Sequence, residues 1–167
     1  MAAVIGISAD EVEALCRQVD GVVEVANYNQ PKQTVVSGDV LAVNALEDLA
    51  QQAGASSVVR LKVGGAFHSP LMADVADEFG VDLENCVIST PDLPVLSAVT
   101  GQYVENPADI RALLHRQIVA PVRWLDTIRH AVEDGYDRIV EIGPGKVLTG
   151  FSRRIAPDTE AFAIASP

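Results

Sequence analysis

Hydrophobic periodicity along residues 1–63 switches between two values in an order that few folds can satisfy. Ala2 to Ile7 is apolar with β-branched residues at alternating places, the pattern of a strand. It runs into Ser8-Ala9-Asp10-Glu11, where hydroxyl and carboxylate can satisfy each other's backbone N–H groups as a capping box. The helix expected from there sets Val12, Leu15, Cys16 and Val19 on one face and stops at Gly21. Val22 to Ala26 and Gln33 to Ser37 read as the strands of a hairpin, with Asn27-Tyr28-Asn29-Gln30-Pro31 as its polar turn. A second helix starts near Ser37-Gly38-Asp39, carries Val40, Val43, Leu46, Leu49 and Ala50 on one side and stops at Gly54, and Val58 to Val63 is a further strand. Strand, helix, strand, strand, helix, strand is the βαββαβ order of a ferredoxin-like unit, with two helices on one face of an antiparallel sheet.

Gly64-Gly65 closes that unit, and residues 64–167 follow a different rhythm. Ser69 to Phe79 is helical in pattern, Pro94 to Val99 reads as a short strand, and Asn106-Pro107 offers a cap and a first helical residue. Two helical stripes follow, one through Ile110, Leu113 and Leu114, the other through Val122, Leu125, Ile128 and Val132 up to Gly135. Arg138 to Ile142 is a strand of the buried type, Val147, Leu148, Phe151 and Ile155 mark a helix, and Phe162 to Ala165 supplies a last strand. Strands alternating with helices argue for part of a parallel sheet covered on both faces, with too few strands to complete it. The expected fold is therefore α+β / α/β, with a small ferredoxin-like subdomain at 1–63 and an incomplete α/β layer at 64–167.

Composition narrows the function. At 49% apolar and 21% charged residues the chain is too hydrophobic for disorder, while its longest apolar runs, such as Met1 to Ile7, are strand-sized and predict no membrane span. The N-terminus has no secretory pattern and two cysteines make no disulfide framework, so a cytoplasmic location is expected. A formal charge of −11 argues against nucleic acid as a partner.

Chemistry-bearing residues are few. The histidines, His68, His115 and His130, are scattered with neither cysteine near them, so no metal site is expected. Gly143-Pro144-Gly145-Lys146 fails the Walker spacing, since Val147 follows the lysine, and fails the dinucleotide spacing, since Leu148 stands at the third glycine; a tight strand-to-helix turn remains. His115 and His130, beside Arg116 and Arg129, are expected on solvated helix faces. His68 sits in the junction Gly65-Ala66-Phe67-His68-Ser69-Pro70, where an imidazole can serve as a general base or merely pack at a helix start; position alone leaves both open. No serine has the GxSxG surroundings of a nucleophile elbow: Gly6-Ile7-Ser8-Ala9-Asp10 and Gly150-Phe151-Ser152-Arg153-Arg154 each lack the second glycine. Ser69, adjacent to His68, points a different way and is a poor partner for it.

Four stretches in order carry a family resemblance: Asn27-Tyr28-Asn29-Gln30-Pro31 with Gln33-Thr34-Val35-Val36-Ser37-Gly38; Gly65-Ala66-Phe67-His68-Ser69-Pro70-Leu71-Met72; Gln117-Ile118-Val119-Ala120-Pro121-Val122-Arg123-Trp124; and Glu141-Ile142-Gly143-Pro144-Gly145-Lys146-Val147-Leu148. With them the chain resembles the C-terminal half of the malonyl-CoA:acyl carrier protein transacylases, whose architecture is a ferredoxin-like subdomain beside an α/β-hydrolase-like acyltransferase layer. The resemblance implies that His68 is the base and acid of a Ser-His pair and that the Gln117 carbonyl accepts from its far ring nitrogen. It implies a ping-pong route in which serine takes malonyl from a coenzyme A thioester and passes it to the phosphopantetheine thiol of acyl carrier protein, with no cofactor. Phe67 falls where the family sets extender choice by bulk and favours malonyl over methylmalonyl. Asn27, Asn29 and Gln33 match polar positions toward the pantetheine arm.

Carrier docking calls for positive charge, which Arg60 and Lys62 supply at period two on a strand, with Arg153-Arg154 later; Ser56-Ser57 stands where the family often has a basic pair. The family's glutamine-containing oxyanion loop, its GxSxG serine and its malonyl-binding arginine are absent from these residues. The chain alone is therefore expected to be inactive and to require an N-terminal half, possible as a separate chain; the alternative is a non-catalytic module that binds acyl carrier protein or an acyl group.

Overall fold

The computed structural model describes residues 1–164. Its N-terminal unit comprises β1 (Ala2–Ile5), α1 (Ala9–Cys16), β2 (Val23–Gln30), β3 (Gln33–Gly38), α2 (Val40–Gln52) and β4 (Ser57–Arg60). The strands form one antiparallel sheet in the order β2-β3-β1-β4, the ferredoxin-like arrangement that the periodicities predict.

The capping box closes as expected: Ser8 N donates to Glu11 Oε2 at 2.8 Å and Glu11 N donates to Ser8 Oγ at 3.3 Å. Alternation along the central strands then sorts the side chains. Ala2, Val4, Val25 and Val36 join Val12, Val43 and Leu46 in the core beneath the helices, while Ala3, Ala26 and Val35 are buried on the opposite face. Leu46 is fully buried and stabilises the fold by about 2 kcal/mol relative to an exposed leucine. Val40, expected on the buried stripe, is 70% exposed, because Asp39 is the N-cap and Val40 begins the helix off that face.

The remaining elements are a 3₁₀ turn (Pro70–Met72), α3 (Ala73–Glu84), α4 (Pro107–Gln117), α5 (Trp124–Glu133), β5 (Arg138–Ile142), α6 (Val147–Ile155) and β6 (Glu160–Ile164). β5 and β6 pair in parallel around α6, with Val140 opposite Phe162 and Ile142 opposite Ile164. That face is open, Ile142 being 81% and Ile164 52% exposed. Helices α5 and α6 both pack against β2.

Five expectations need correction. The hairpin turn is not Asn27 to Pro31: those polar residues up to Gln30 belong to β2, which tolerates them through two register shifts, and the chain reverses at Pro31-Lys32 with Lys32 at φ 59°. β4 ends at Arg60, short of Val63, so Lys62 lies beyond the strand. Pro94 to Val99 forms no strand but a tight loop, closed by a single Leu96–Tyr103 bridge and by Gly101 N donating to Ser97 O at 2.7 Å. Helix α3 continues past Phe79 to Glu84, because Gly80 leaves room for the His115 ring, which a Cβ there would meet at 2.9 Å. Of the final strand, Ala165 lies outside the described residues, and β6 begins earlier, at Glu160.

Gly38 marks the tightest approach in the sheet, since a Cβ built there lies 1.9 Å from the Val22 carbonyl oxygen. Gly38→Ala is expected to destabilise the chain by about 3 kcal/mol, read from urea unfolding; a loss below 1 kcal/mol, the ordinary range of a surface change, would contradict it.

Candidate active site

His68 is held in a conformation that side chains seldom adopt. Its φ of 57° places it in the left-handed region, at a strain on the order of 1 kcal/mol. Two interactions hold it there. Fully buried Ser69 donates its hydroxyl to the Ala66 carbonyl at 2.6 Å, which fastens the loop and removes Ser69 from any chemistry with the ring. The ring itself turns Nδ1 toward two main-chain oxygens, Gln117 O at 2.9 Å and Ala120 O at 3.1 Å. Carbonyls only accept, so Nδ1 carries a proton, and in the neutral ring the lone pair is then on Nε2. Among the described residues no hydrogen bond engages Nε2.

The two carbonyls are available because of how α4 ends. Val119 and Ala120 both donate to Arg116 O, Pro121 has no N–H, and Val122 donates to Ala26 O at 2.8 Å. The last-turn Gln117 carbonyl is thereby left without a backbone donor, and the imidazole N–H takes its place. Ala120 was not legible as a site residue in the sequence, since a main-chain acceptor leaves no residue-type signature.

Phe67 is 44% exposed and lies against Gly65, next to the base in the chain. Asn27 bridges Val122 through backbone bonds on either side, which brings β2 to the segment that holds His68. Gln33 accepts from the Gln30 amide at 2.6 Å, and Gln30 in turn accepts from Arg154 at 3.2 Å, a chain that sequence reading missed. Asn29 lies at the second register shift of β2, opposite no residue of β3. Arg60 is engaged within the chain: its Nε meets Glu47 at 2.8 Å and it also donates to Asn44, so its guanidinium is not a free docking charge. Lys62 is exposed. His130, expected on a solvated face, is instead partly buried, with Nδ1 2.8 Å from Gly101 O and its ring edge-on to Tyr103. His115 approaches Asp77 at 4.0 Å. Among the described residues no three potential metal ligands gather.

The Gly143-Pro144-Gly145 turn is a strand-to-helix reversal, with φ of 142° at Gly143 and 100° at Gly145. It brings Glu141 over the start of α6, where the carboxylate accepts from Thr149 Oγ1 and Thr149 N, both at 2.7 Å, and from Leu148 N at 3.3 Å. A carboxylate from the preceding strand thus satisfies amides that helix starts leave open.

The family model described as an acyl transferase domain matches residues 1–160. The chain belongs to the acyl transferase domain family. A malonyl CoA-acyl carrier protein transacylase of Haemophilus influenzae is 36% identical over 98% of this chain and 53% of its own length, and that of Bacillus subtilis is 34% identical over 100% and 54%. The solved malonyl-CoA:acyl carrier protein transacylase of Xanthomonas oryzae superposes with a TM-score of 0.95 at 34% identity, covering 99% of this chain and 54% of that one. A malonyl-transacylase solved in complex with its type II polyketide acyl carrier protein gives 0.95 at 34% identity, over 98% and 53%. This acyl transferase chain spans about half the length of the curated relatives it matches.

The Thr149 hydroxyl, the Thr149 amide and the Leu148 amide hold the Glu141 carboxyl below its ordinary value. A lowered folded-state value means stabilisation that is complete above the ordinary carboxylate range and lost as pH falls through the folded value. Glu141→Gln is therefore expected to lower Tm at pH 6 and to make the fall in Tm between pH 6 and pH 3 shallower than in the parent; parallel curves would refute the linkage.

Proposed function

We propose that this acyl transferase chain supplies the base for malonyl transfer from coenzyme A to the phosphopantetheine thiol of an acyl carrier protein. The observation that carries it is the bonded Nδ1 of His68, which leaves Nε2 as a proton acceptor on a rigidly placed ring. In the proposed route Nε2 takes the proton of a serine hydroxyl as Oγ attacks the thioester carbonyl. The tetrahedral intermediate collapses, the C–S bond breaks, and the imidazolium returns its proton to the departing coenzyme A sulfur. The malonyl-serine is then attacked by the carrier thiol, with Nε2 receiving that proton and returning it to serine Oγ. Neutral carbonyls behind the ring orient it as an aspartate does in hydrolase triads, with less stabilisation of imidazolium.

No serine here has GxSxG surroundings, so in this proposal the nucleophile, and with it the oxyanion donors and the malonyl-binding arginine that the resemblance implies, come from outside these residues. These residues alone are therefore inactive in this scheme, and loss of the donors removes transition-state stabilisation as well as the nucleophile. Phe67 walls the acyl end beside the base and disfavours a methyl branch by about 1–3 kcal/mol. Asn27, Asn29 and Gln33 line the approach of the pantetheine arm, and Lys62 is the docking charge left after Arg60 binds Glu47. No metal or organic cofactor enters these proposed steps, and the proposed location is the cytoplasm.

The test pairs this chain, fused or mixed, with the part of the Haemophilus influenzae relative that this chain does not cover. Radiolabelled malonyl is expected to pass to holo carrier protein, and His68→Ala to slow transfer by about 10²–10⁴-fold while leaving the fold intact by circular dichroism. Transfer that is equally fast without the imidazole would sink the proposal.

A further inference from the structure

The base is held by a turn, and the turn is held by the sheet. Strand β2 pairs with β3 in register as far as Val25–Val36, then resumes at Asn27–Val35, so Ala26 is an extra residue, a bulge. A bulge leaves the backbone groups of the extra residue outside the ladder. Here the freed Ala26 carbonyl accepts from Val122 N at 2.8 Å, and Tyr28 N donates to Val122 O at 2.8 Å. These two bonds make the isolated parallel bridge of Asn27 with Val122. Arg123 N then donates to Ala98 O at 2.7 Å, so the chain is fastened on both sides of Val122. Two residues upstream lies Ala120, whose carbonyl faces His68 Nδ1, and Pro121 links the two with a fixed φ.

We propose that the Ala26 bulge and the Val122 bridge are positioning elements for His68: by fixing Ala120 and Gln117 in space, the ferredoxin-like sheet sets the tautomer of the imidazole. This rests on the assignment of His68 as the base. The bulge is thereby more than an irregularity of an edge strand. It converts an edge carbonyl, which would otherwise face solvent, into the anchor of the turn that ends α4. Without it the carbonyls at 117 and 120 would be fixed only by their own helix end, where the last turn frays.

The experiment is nuclear magnetic resonance of the imidazole nitrogens in this chain, with ¹⁵N-labelled histidine and the three rings assigned by single His→Gln variants. In the parent, His68 is expected as the Nδ1–H form. Val122→Pro removes the N–H that binds Ala26 and is expected to reduce the ratio of Nδ1–H to Nε2–H by about three- to tenfold, the effect of weakening one hydrogen bond. Leu46→Ala, which destabilises the sheet core without touching the bridge, is expected to leave the ratio unchanged. An unchanged ratio in Val122→Pro, or an equal change in Leu46→Ala, overturns the positioning role while the base assignment stands. A parent ring that is Nε2–H overturns both. Should Val122→Pro fail to fold, amide hydrogen exchange of Val122 in the parent decides: slow exchange with that of the β1–β3 ladder supports the bridge as an anchor, and exchange at loop rates overturns it.

Discussion

A neutral imidazole presents its lone pair in one direction only when something fixes which nitrogen carries the proton, and at His68 the pair of carbonyl oxygens facing Nδ1 does so. Each later requirement follows from it. Carbonyls are free to accept only where the backbone amides nearby are committed elsewhere, as Val119, Ala120 and Val122 are, and where a proline removes the remaining donor. The ring reaches them from a left-handed backbone, in a loop that the Ser69–Ala66 bond fastens. Local strain at His68 is thus balanced by the Ser69–Ala66 bond within its loop and by the ring's bonds to the end of α4.

The second constraint is an uncovered surface. A parallel pair of strands is ordinarily buried on both faces, and two strands alone seldom hold together in water. In β5 and β6 one face is packed by α6, while Val140, Ile142 and Ile164 on the other side remain exposed. The family match extends over nearly the whole of these residues, yet they equal about half of the relatives. Exposed apolar side chains on a short parallel sheet are a surface of the kind that further strands or helices cover in α/β layers.

Sequence periodicity was sufficient for the ferredoxin-like sheet because its core obeys simple rules: Val12, Val43 and Leu46 recur at helical spacing, and Ala2, Val4 and Val36 alternate. It failed where tertiary bonds replaced local ones. Asn27, Asn29 and Gln30 have turn composition, but bulges and the Val122 bridge keep them in a strand. Pro94 to Val99 has strand composition, but the tight reversal at Ser97 to Gly101 leaves it only one bridge. The site divides likewise. His68 stood out by its junction, and the resemblance supplied Gln117, whereas Ala120, Gln30 and Arg154 act through main-chain or side-chain bonds between elements distant in sequence.

Charge places a further limit on how an acidic carrier could approach. The chain has a formal charge of −11, so attraction requires cations that are not already neutralised. Arg60 is paired with Glu47, Arg123 with Asp126 and Arg138 with Glu160, whereas Arg153 and Arg154 donate to the neutral Ala161 carbonyl and Gln30 amide and keep their charge. An ion pair at the surface presents a dipole, whose field falls off faster than that of a lone charge and is further screened within about 8 Å at physiological salt. Period-two spacing of Arg60 and Lys62 was therefore an incomplete guide to docking, because it records where charges stand and not what faces them. Under the proposed function, a cationic surface facing an acidic carrier would draw on cations that meet no carboxylate within salt-bridge distance among the described residues, Lys62 among them.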